Sequence, residues 1–100
     1  MIAVMFTSKV APGKQSEAIE LLKRRIEKRN KDNPETKRYL LQPYSGETDE
    51  LVYLHIHPSL ADLEETQRKR DADPSYDSHS KEARSVFLSH ERKIFTVVVE

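Results

Sequence analysis

The strands predicted from this sequence carry apolar side chains on both faces, whereas the chain has only two helical regions to cover them. Hydrophobic periodicity predicts the element order β-α-β-β-α-β, which we interpret as a single domain spanning residues 1–100. One layer of two helices covers one face of a four-stranded sheet. The other face then requires a second molecule or a ligand, unless it is wet, as one face of an antiparallel sheet often is.

Alternating apolar residues and turn signals predict four strands, at residues 2–10, 36–42, 51–57 and 94–99. Apolar residues at helical spacing predict the first helix over residues 15–31. Ser59 is a suitable N-cap for the second helical region, which Asp73 and Pro74 divide into two pieces. A turn-rich loop at residues 43–49 joins the two middle strands as a hairpin.

Two split β-α-β units with right-handed crossovers predict a ferredoxin-like α+β fold, a four-stranded antiparallel sheet with both helices on one face. The third strand presents an aliphatic set on one face and a mixed set on the other: Val52, Leu54 and Ile56 against Leu51, Tyr53, His55 and His57. We expect the aliphatic set to lie beneath the helices. The mixed set is then expected to line a partly polar cavity between two subunits of a symmetric homodimer.

Composition excludes several classes of partner. Lysine plus arginine and aspartate plus glutamate number 17 each, so a neutral chain has no global field that attracts nucleic acid. The basic clusters at the end of the first helix and at residues 68–70 are interleaved with acids, and we interpret them as solvated faces. The apolar runs are far shorter than the ~20 residues of a membrane helix. With no cysteine and no signal peptide, we expect a cytoplasmic protein.

His55 and His57 lie on the same side of the third strand, roughly 7 Å apart along it. Such a pair could ligate a metal together with a third ligand such as His79 or a glutamate, but nothing in the sequence brings one close, so we expect no metal and no cofactor. Acid–base chemistry is the more plausible use, with His55 as the base and Tyr53 positioning the substrate. The alternative is a cavity histidine whose ring is satisfied by a carbonyl group.

Tyr76 and His79 lie one turn apart on the last helical piece and could form a cavity wall together. In the alternative interpretation, Tyr76 anchors the core and His79 lies at its boundary. His90 follows the same helix, where a positive charge near the helix end would interact favourably with the dipole.

Three short motifs follow one another along the chain. They are the turn at residues 10–14, the hairpin end at residues 57–62 and the helix restart at residues 72–76. This order resembles the dimeric α+β barrel superfamily, with its antibiotic-biosynthesis-monooxygenase-like and NIPSNAP-like domains. The resemblance covers nearly the whole chain and implies a homodimer with a ligand cavity in or beside the barrel.

Members of that superfamily include cofactor-independent oxygenases of aromatic polyketides, haem-degrading enzymes and polyketide cyclases. Haem-degrading members use a tryptophan, which this chain lacks, and their catalytic asparagine falls at Phe6. The histidine of many monooxygenase-like members falls at Arg70. The resemblance therefore implies either a cofactor-independent monooxygenase, cyclase or isomerase of an aromatic or polyketide-like metabolite, or a non-catalytic ligand-binding or structural dimer. In either case we expect Phe6 and His57 to contact the small molecule.

Overall fold

The computed structural model describes residues 1–44 and 49–100, with the backbone alone described at residues 77–79. Four strands and three helices follow one another in these ranges: β1 (Ile2–Val10), α1 (Gln15–Asp32), β2 (Lys37–Leu41), β3 (Glu50–His57), α2 (Leu60–Asp71), α3 (Tyr76–Val86) and β4 (Phe87–Thr96). The first three strands and the first helix agree closely with the predicted bounds. Part of the predicted hairpin loop, residues 45–48, lies outside the described residues.

The strands form one antiparallel sheet in the order β2-β3-β1-β4. This is the ferredoxin-like order, so the predicted fold class is confirmed, and β2 and β4 are the edge strands. β1 lies at the centre of the sheet because its β-branched and aromatic residues suit a strand that is paired on both sides.

The turn, the helix cap and the kink predicted from the sequence are also present. Gly13 has a φ of +75°, the left-handed conformation that glycine adopts without strain, and it turns the chain from β1 into α1. The Ser59 side chain accepts a hydrogen bond from the Asp62 N–H, which caps the start of α2. At the kink between α2 and α3, the Asp73 carboxylate accepts bonds from the Ser75 N–H and hydroxyl, so α3 begins at Tyr76.

The helices pack on one face of the sheet, and the main core lies between the two layers. α1 and α3 contact each other, and α3 also contacts β4. The buried apolar side chains of this core are Val10, Ala18, Leu21, Leu22, Leu51, Ala83, Val86 and Phe87. None of the helices within the described residues is long and apolar enough to cross a membrane.

The last strand begins at Phe87, seven residues earlier than predicted, and ends at Thr96. The pairing register shifts between Lys9 and Val10, so that Leu88 is an extra residue opposite β1. Such a bulge interrupts the alternation of faces. It allows Phe87 and His90, three residues apart, to lie on the same face of the sheet. His90 is therefore a strand residue, and the predicted position at a helix end was wrong.

The predicted assignment of the two faces of β3 was also wrong. Leu51 belongs to the core beneath the helices, and Tyr53 packs against that core. By alternation, His55 and His57 lie on this same face, where both rings are buried. The two imidazoles tolerate burial because each forms hydrogen bonds there. The alternation of residue types along β3 does not reveal these hydrogen-bond partners.

The face of the sheet opposite the helices is apolar at its centre and has no covering layer in the protomer. Cross-strand pairing brings together residues of all four strands on this face: Ala3, Met5, Thr7, Tyr39, Leu41, Val52, Leu54, Ile56 and Phe95. Tyr39, Leu41 and Phe95 are each about 45% exposed (46%, 44% and 46%). We call this surface the open face.

Candidate functional site

A cavity of about 630 Å³ lies between the sheet and the helices of a single protomer. Its volume matches a small organic ligand. Four of the residues predicted for the site line it: Phe6, Tyr53, His55 and Tyr76. We expected this lining between two subunits. The expectation was wrong because the mixed face of β3 is turned towards the helices.

The other two predicted site residues have different positions. His57 is 0% exposed and lies behind His55, outside the cavity wall. It has no surface in the cavity, which contradicts its predicted direct contact with a ligand there. The His79 side chain lies outside the described residues.

A chain of hydrogen bonds connects the cavity to a carboxylate. Nδ1 of His55 lies 2.7 Å from Nε2 of His57, and Nδ1 of His57 lies 2.7 Å from Oδ2 of Asp62. The Thr36 hydroxyl donates to the same carboxylate oxygen at 2.6 Å. We call Asp62, His57 and His55 the relay. Sequence reasoning identified the two histidines but not Asp62 or Thr36.

The relay follows from how the chain leaves β3. The strand ends at His57, and the Ser59 cap starts α2 within two residues. Asp62 therefore lies in the first turn of α2, where the helix dipole favours a negative charge. From there its carboxylate reaches back to His57. Capping-box spacing directly after a strand that ends in histidine is the signal that could have revealed Asp62.

The carboxylate determines where the protons of the relay lie. An ionised Asp62 only accepts hydrogen bonds, so Nδ1 of His57 carries a proton. In the tautomer in which Nε2 of His57 carries no proton, that atom accepts from Nδ1–H of His55, and the lone pair of the His55 Nε2 atom has no partner among the described residues. Burial alone would raise the pKa of Asp62, but hydrogen bonds from Thr36 and His57 outweigh it and hold that pKa below its usual value.

His55 is neutral in the empty cavity. Burial lowers its pKa from 6.5 to about 3, and the nearby His57 and Arg38 contribute further. The ring stacks against Phe6, with centroids 5.9 Å apart and planes 7° apart. Burial raises the pKa of Tyr53, so its phenol stays protonated and can donate a hydrogen bond. The ring of Tyr53 lies 5.0 Å from that of His55.

The cavity wall contains arginines that we had interpreted as solvated. Arg25 and Arg29 of α1 and Arg70 of α2 line it, so the interpretation of both basic clusters as solvated faces was wrong for these residues. The signal available in the sequence was the spacing of Leu22, Arg25 and Arg29, which places two arginines on the face of a buried leucine. Arg70 lies over the ring of Tyr76, 5.6 Å from its centroid.

β4 contributes a further residue that sequence reasoning missed. His90 lines the cavity, and its Nδ1 atom lies 2.8 Å from the hydroxyl of Ser8. Burial lowers the pKa of His90, and Arg25 lowers it further. Because the bulge at Leu88 shifts the alternation, no regular pattern assigns His90 to this face.

The two histidines of β3 are directed at each other rather than at a shared third atom. In the parts of the chain that the structure describes, no group of three or more histidine, cysteine or acidic side chains could hold a metal ion. The chemistry that these side chains offer is proton transfer at the open nitrogen of His55.

Together, the βαββααβ order and the antiparallel sheet define a ferredoxin-like α+β domain, and its cavity has the volume of a small organic molecule. The chain belongs to the NIPSNAP family, whose model matches residues 5–100. No curated protein matches the sequence.

Several solved structures share the fold. A NIPSNAP family protein of unknown function from Agrobacterium tumefaciens is 22% identical, with a TM-score of 0.77 over 95% of this chain and 86% of that one. A NIPSNAP domain protein from Burkholderia xenovorans is 13% identical, with a TM-score of 0.80 over 98% and 95% of the two chains. SnoaB, a cofactor-independent oxygenase from Streptomyces nogalater, is 14% identical, with a TM-score of 0.75 over 99% and 94%. At these identities the likeness concerns the fold alone.

Proposed function

We propose that the protein is a cofactor-independent enzyme that removes a proton from an aromatic or polyketide-like small molecule in the cavity, with His55 as the base. The relay is the observation that carries this proposal. It fixes the His55 ring so that one nitrogen is held by His57 and the other is open to the cavity. An oriented imidazole of this kind is the usual general base of enzymes.

The relay also offers a route for the positive charge that proton abstraction creates. When Nε2 of His55 accepts the substrate proton, Nδ1–H can pass to Nε2 of His57. The charge then lies 2.7 Å from the Asp62 carboxylate instead of among the arginines of the cavity wall. This transfer stabilises the protonated state and makes His55 a stronger base than an isolated buried histidine.

We favour oxygenation as the overall reaction. Deprotonation of an anthrone-like carbon acid gives a carbanion, which transfers electrons to O₂ and combines with it to form a hydroperoxide anion. The protonated relay returns the proton to this anion, and the neutral hydroperoxide loses water to leave the quinone, so that the substrate and one O₂ give the quinone and one H₂O. Tyr53, whose phenol stays protonated, would donate a hydrogen bond to the enolate oxygen. The fold is shared with a protein that carries out cofactor-independent oxygenation.

Oxygen uptake with 1,8-dihydroxyanthrone tests this proposal. The compound loses a proton at its central carbon and is oxidised to the anthraquinone. We expect the purified protein to accelerate oxygen uptake, and His55→Gln to reduce the enzymatic rate by about 100-fold at unchanged thermal stability. Equal rates for wild type and variant, or a wild-type rate equal to that of buffer, would contradict it.

A non-catalytic ligand-binding protein is the second candidate, and one observation favours it. The pKa of about 3 makes His55 a weak base while the cavity is empty. Under this candidate, His55→Gln leaves ligand affinity intact, and no bound aromatic compound exchanges a carbon-bound proton with solvent. Deuterium exchange into the bound anthrone under nitrogen, followed by mass spectrometry, separates the candidates. If the protein exchanges the carbon-bound proton of the anthrone but does not accelerate oxygen uptake, the reaction is an isomerisation or a cyclisation.

We also propose that the protein is a homodimer in which two open faces pack together. The central residues of this surface, Val52, Leu54 and Ile56, are aliphatic and lack a covering layer in the protomer. Burying such a surface is favourable in proportion to its apolar area. Sedimentation equilibrium at micromolar concentration is expected to give twice the mass of the chain. A well-behaved monomer under these conditions would contradict the dimer but not the site, because the cavity lies within one protomer.

A further inference from the structure

The cavity wall is strongly positive although the chain as a whole is neutral. Six arginines line it: Arg25, Arg29, Arg38, Arg70, Arg84 and Arg92. The described lining residues include no aspartate or glutamate. A cleft lined by one sign of charge concentrates ions of the opposite sign.

Within the described parts of the chain, four of these arginines have no carboxylate partner. Arg29 pairs with Asp32 and Asp73, and Arg70 pairs with its neighbour Asp71. The remaining four arginines make no ion pair with any residue that the structure describes. They come from α1, β2, α3 and β4, so the unpaired charge surrounds the cavity on several sides.

Two of the guanidinium groups contain buried nitrogen atoms without hydrogen-bond partners among the described residues. These atoms are Nε of Arg25 and Nη2 of Arg38. Burial also lowers the pKa of Arg25, because the charge is removed from water. A buried donor without a partner is unfavourable, because it has lost its hydrogen bonds to water. Charge-assisted hydrogen bonds from these guanidinium groups to a bound carboxylate would offset this cost.

The remainder of the wall suits a flat ring system. The aromatic rings of Phe6, Tyr53 and Tyr76 line the cavity, together with the apolar side chains of Leu22 and Leu63. We propose that the ligand is an aromatic carboxylate whose anionic group the arginines bind while its rings lie against this wall. The inference rests on the function proposed above, because it names the substrate class of the same cavity.

Binding of an anion would also activate the base. After burial, the pKa of His55 is lowered by the positive charge that His57 carries when it is protonated, and by the permanent charges of Arg38 on β2, Arg92 on β4 and Arg70 on α2. A carboxylate between the three arginines offsets their repulsion of a proton on His55. Substrate binding would then raise the basicity of His55, which reconciles its weakness in the empty cavity with a catalytic role.

A matched pair of ligands tests the charge requirement. 1-Hydroxy-2-naphthoate and 1-hydroxy-2-naphthamide have nearly the same shape, but only the first is an anion. Naphthol fluorescence reports binding directly, because the chain contains no tryptophan. We expect the carboxylate to bind about tenfold or more tightly than the amide, as two charge-assisted hydrogen bonds imply. 1-Naphthyl phosphate is the third probe, and it is expected to bind less tightly than the carboxylate.

Two neighbouring arginines of α2 provide a matched pair of variants. Arg70 lines the cavity, whereas the side chain of Arg68 is 75% exposed to solvent. We expect Arg70→Met to weaken naphthoate binding by about tenfold and to leave naphthamide binding unchanged. Arg68→Met removes the same charge and is expected to change naphthoate binding by less than about twofold. Arg92→Met is a second cavity variant, on a different element, should Arg70→Met fold poorly.

The inference is overturned if the amide binds as tightly as the carboxylate, if neither compound binds at millimolar concentration, or if Arg70→Met and Arg68→Met behave alike. Tighter binding of the phosphate would overturn the assignment to a carboxylate. Binding is measured in His55→Gln as well as in wild type. Charge-selective binding without anthrone turnover would refute the proposed enzyme while supporting this inference, and turnover without charge selectivity would do the reverse.

Discussion

Acid stability offers a test of the state of His55 that needs no substrate. The ring is 9% exposed and neutral in the folded protein, with a pKa of about 3, whereas in the unfolded chain its pKa is near 6.5. Between these values the unfolded state binds more protons than the native state. The free energy of unfolding must therefore fall as the pH drops from about 6.5 towards 3. Above pH 6.5 the histidine contributes no pH dependence.

The two pKa values determine the size of the effect. Between pH 7 and pH 4.5 the linkage relation gives a loss of about 2.5 kcal/mol from His55 alone. In His55→Gln this contribution is absent, because glutamine does not titrate. The variant is therefore expected to lose about 2.5 kcal/mol less stability than wild type over the same interval.

Urea unfolding followed by far-ultraviolet circular dichroism at both pH values measures this difference. His90→Gln is the control, because His90 also has a lowered pKa but is less buried than His55, so its effect should have the same sign and a smaller size. If wild type and His55→Gln lose the same stability between the two pH values, His55 is not held neutral by burial, and the argument from the relay fails.

Three further predictions concern the relay, the open face and the core. Asp62→Asn removes the charge that stabilises a protonated His57. The variant should therefore slow anthrone-dependent oxygen uptake by about 10- to 100-fold and still bind the anion. An unchanged rate would show that the relay takes no part in the mechanism. Leu54→Arg places a charge on the open face and removes about 2 kcal/mol of apolar burial from each protomer. Because both protomers of the dimer carry the change, sedimentation should show a dimer dissociation constant raised by about 1000-fold. No change in mass would argue that the open face is exposed to water. Leu51→Ala should lower the free energy of unfolding by about 2–5 kcal/mol, because Leu51 is 1% exposed. The control Leu60→Ala, at a residue that is 58% exposed, should cost less than about 0.5 kcal/mol, and equal losses would contradict the described core.

The element order and the fold class could be predicted because they depend on local signals. Helix α1 is bounded by the Gly13 turn and Pro34, and α2 begins at the Ser59 cap, all of which act within a few residues. The start of β4 could not be predicted in the same way. Its bulge at Leu88 breaks the alternation on which strand prediction relies, so the strand was predicted to begin only at residue 94 and His90 was placed near the end of the preceding helix.

The candidate site could be predicted only in part. Alternation correctly grouped Tyr53, His55 and His57 on one face, but it could not decide which face the helices cover. That choice depends on whether buried imidazoles find partners, and the partner here, Asp62, comes from another element. The cavity arginines were missed for a similar reason, because their long side chains let residues at a helix boundary reach into a cavity.

The most direct test of the central claim is the protonation of the two ring nitrogens of His55, measured by ¹⁵N nuclear magnetic resonance. The chain has only four histidines, so single His→Gln variants assign the signals. At neutral pH, the relay predicts a proton on Nδ1 of His55, bonded to His57, and an unprotonated Nε2 facing the cavity. A proton on Nε2, or a doubly protonated ring, would mean that no base is available in the cavity and would contradict the proposed chemistry.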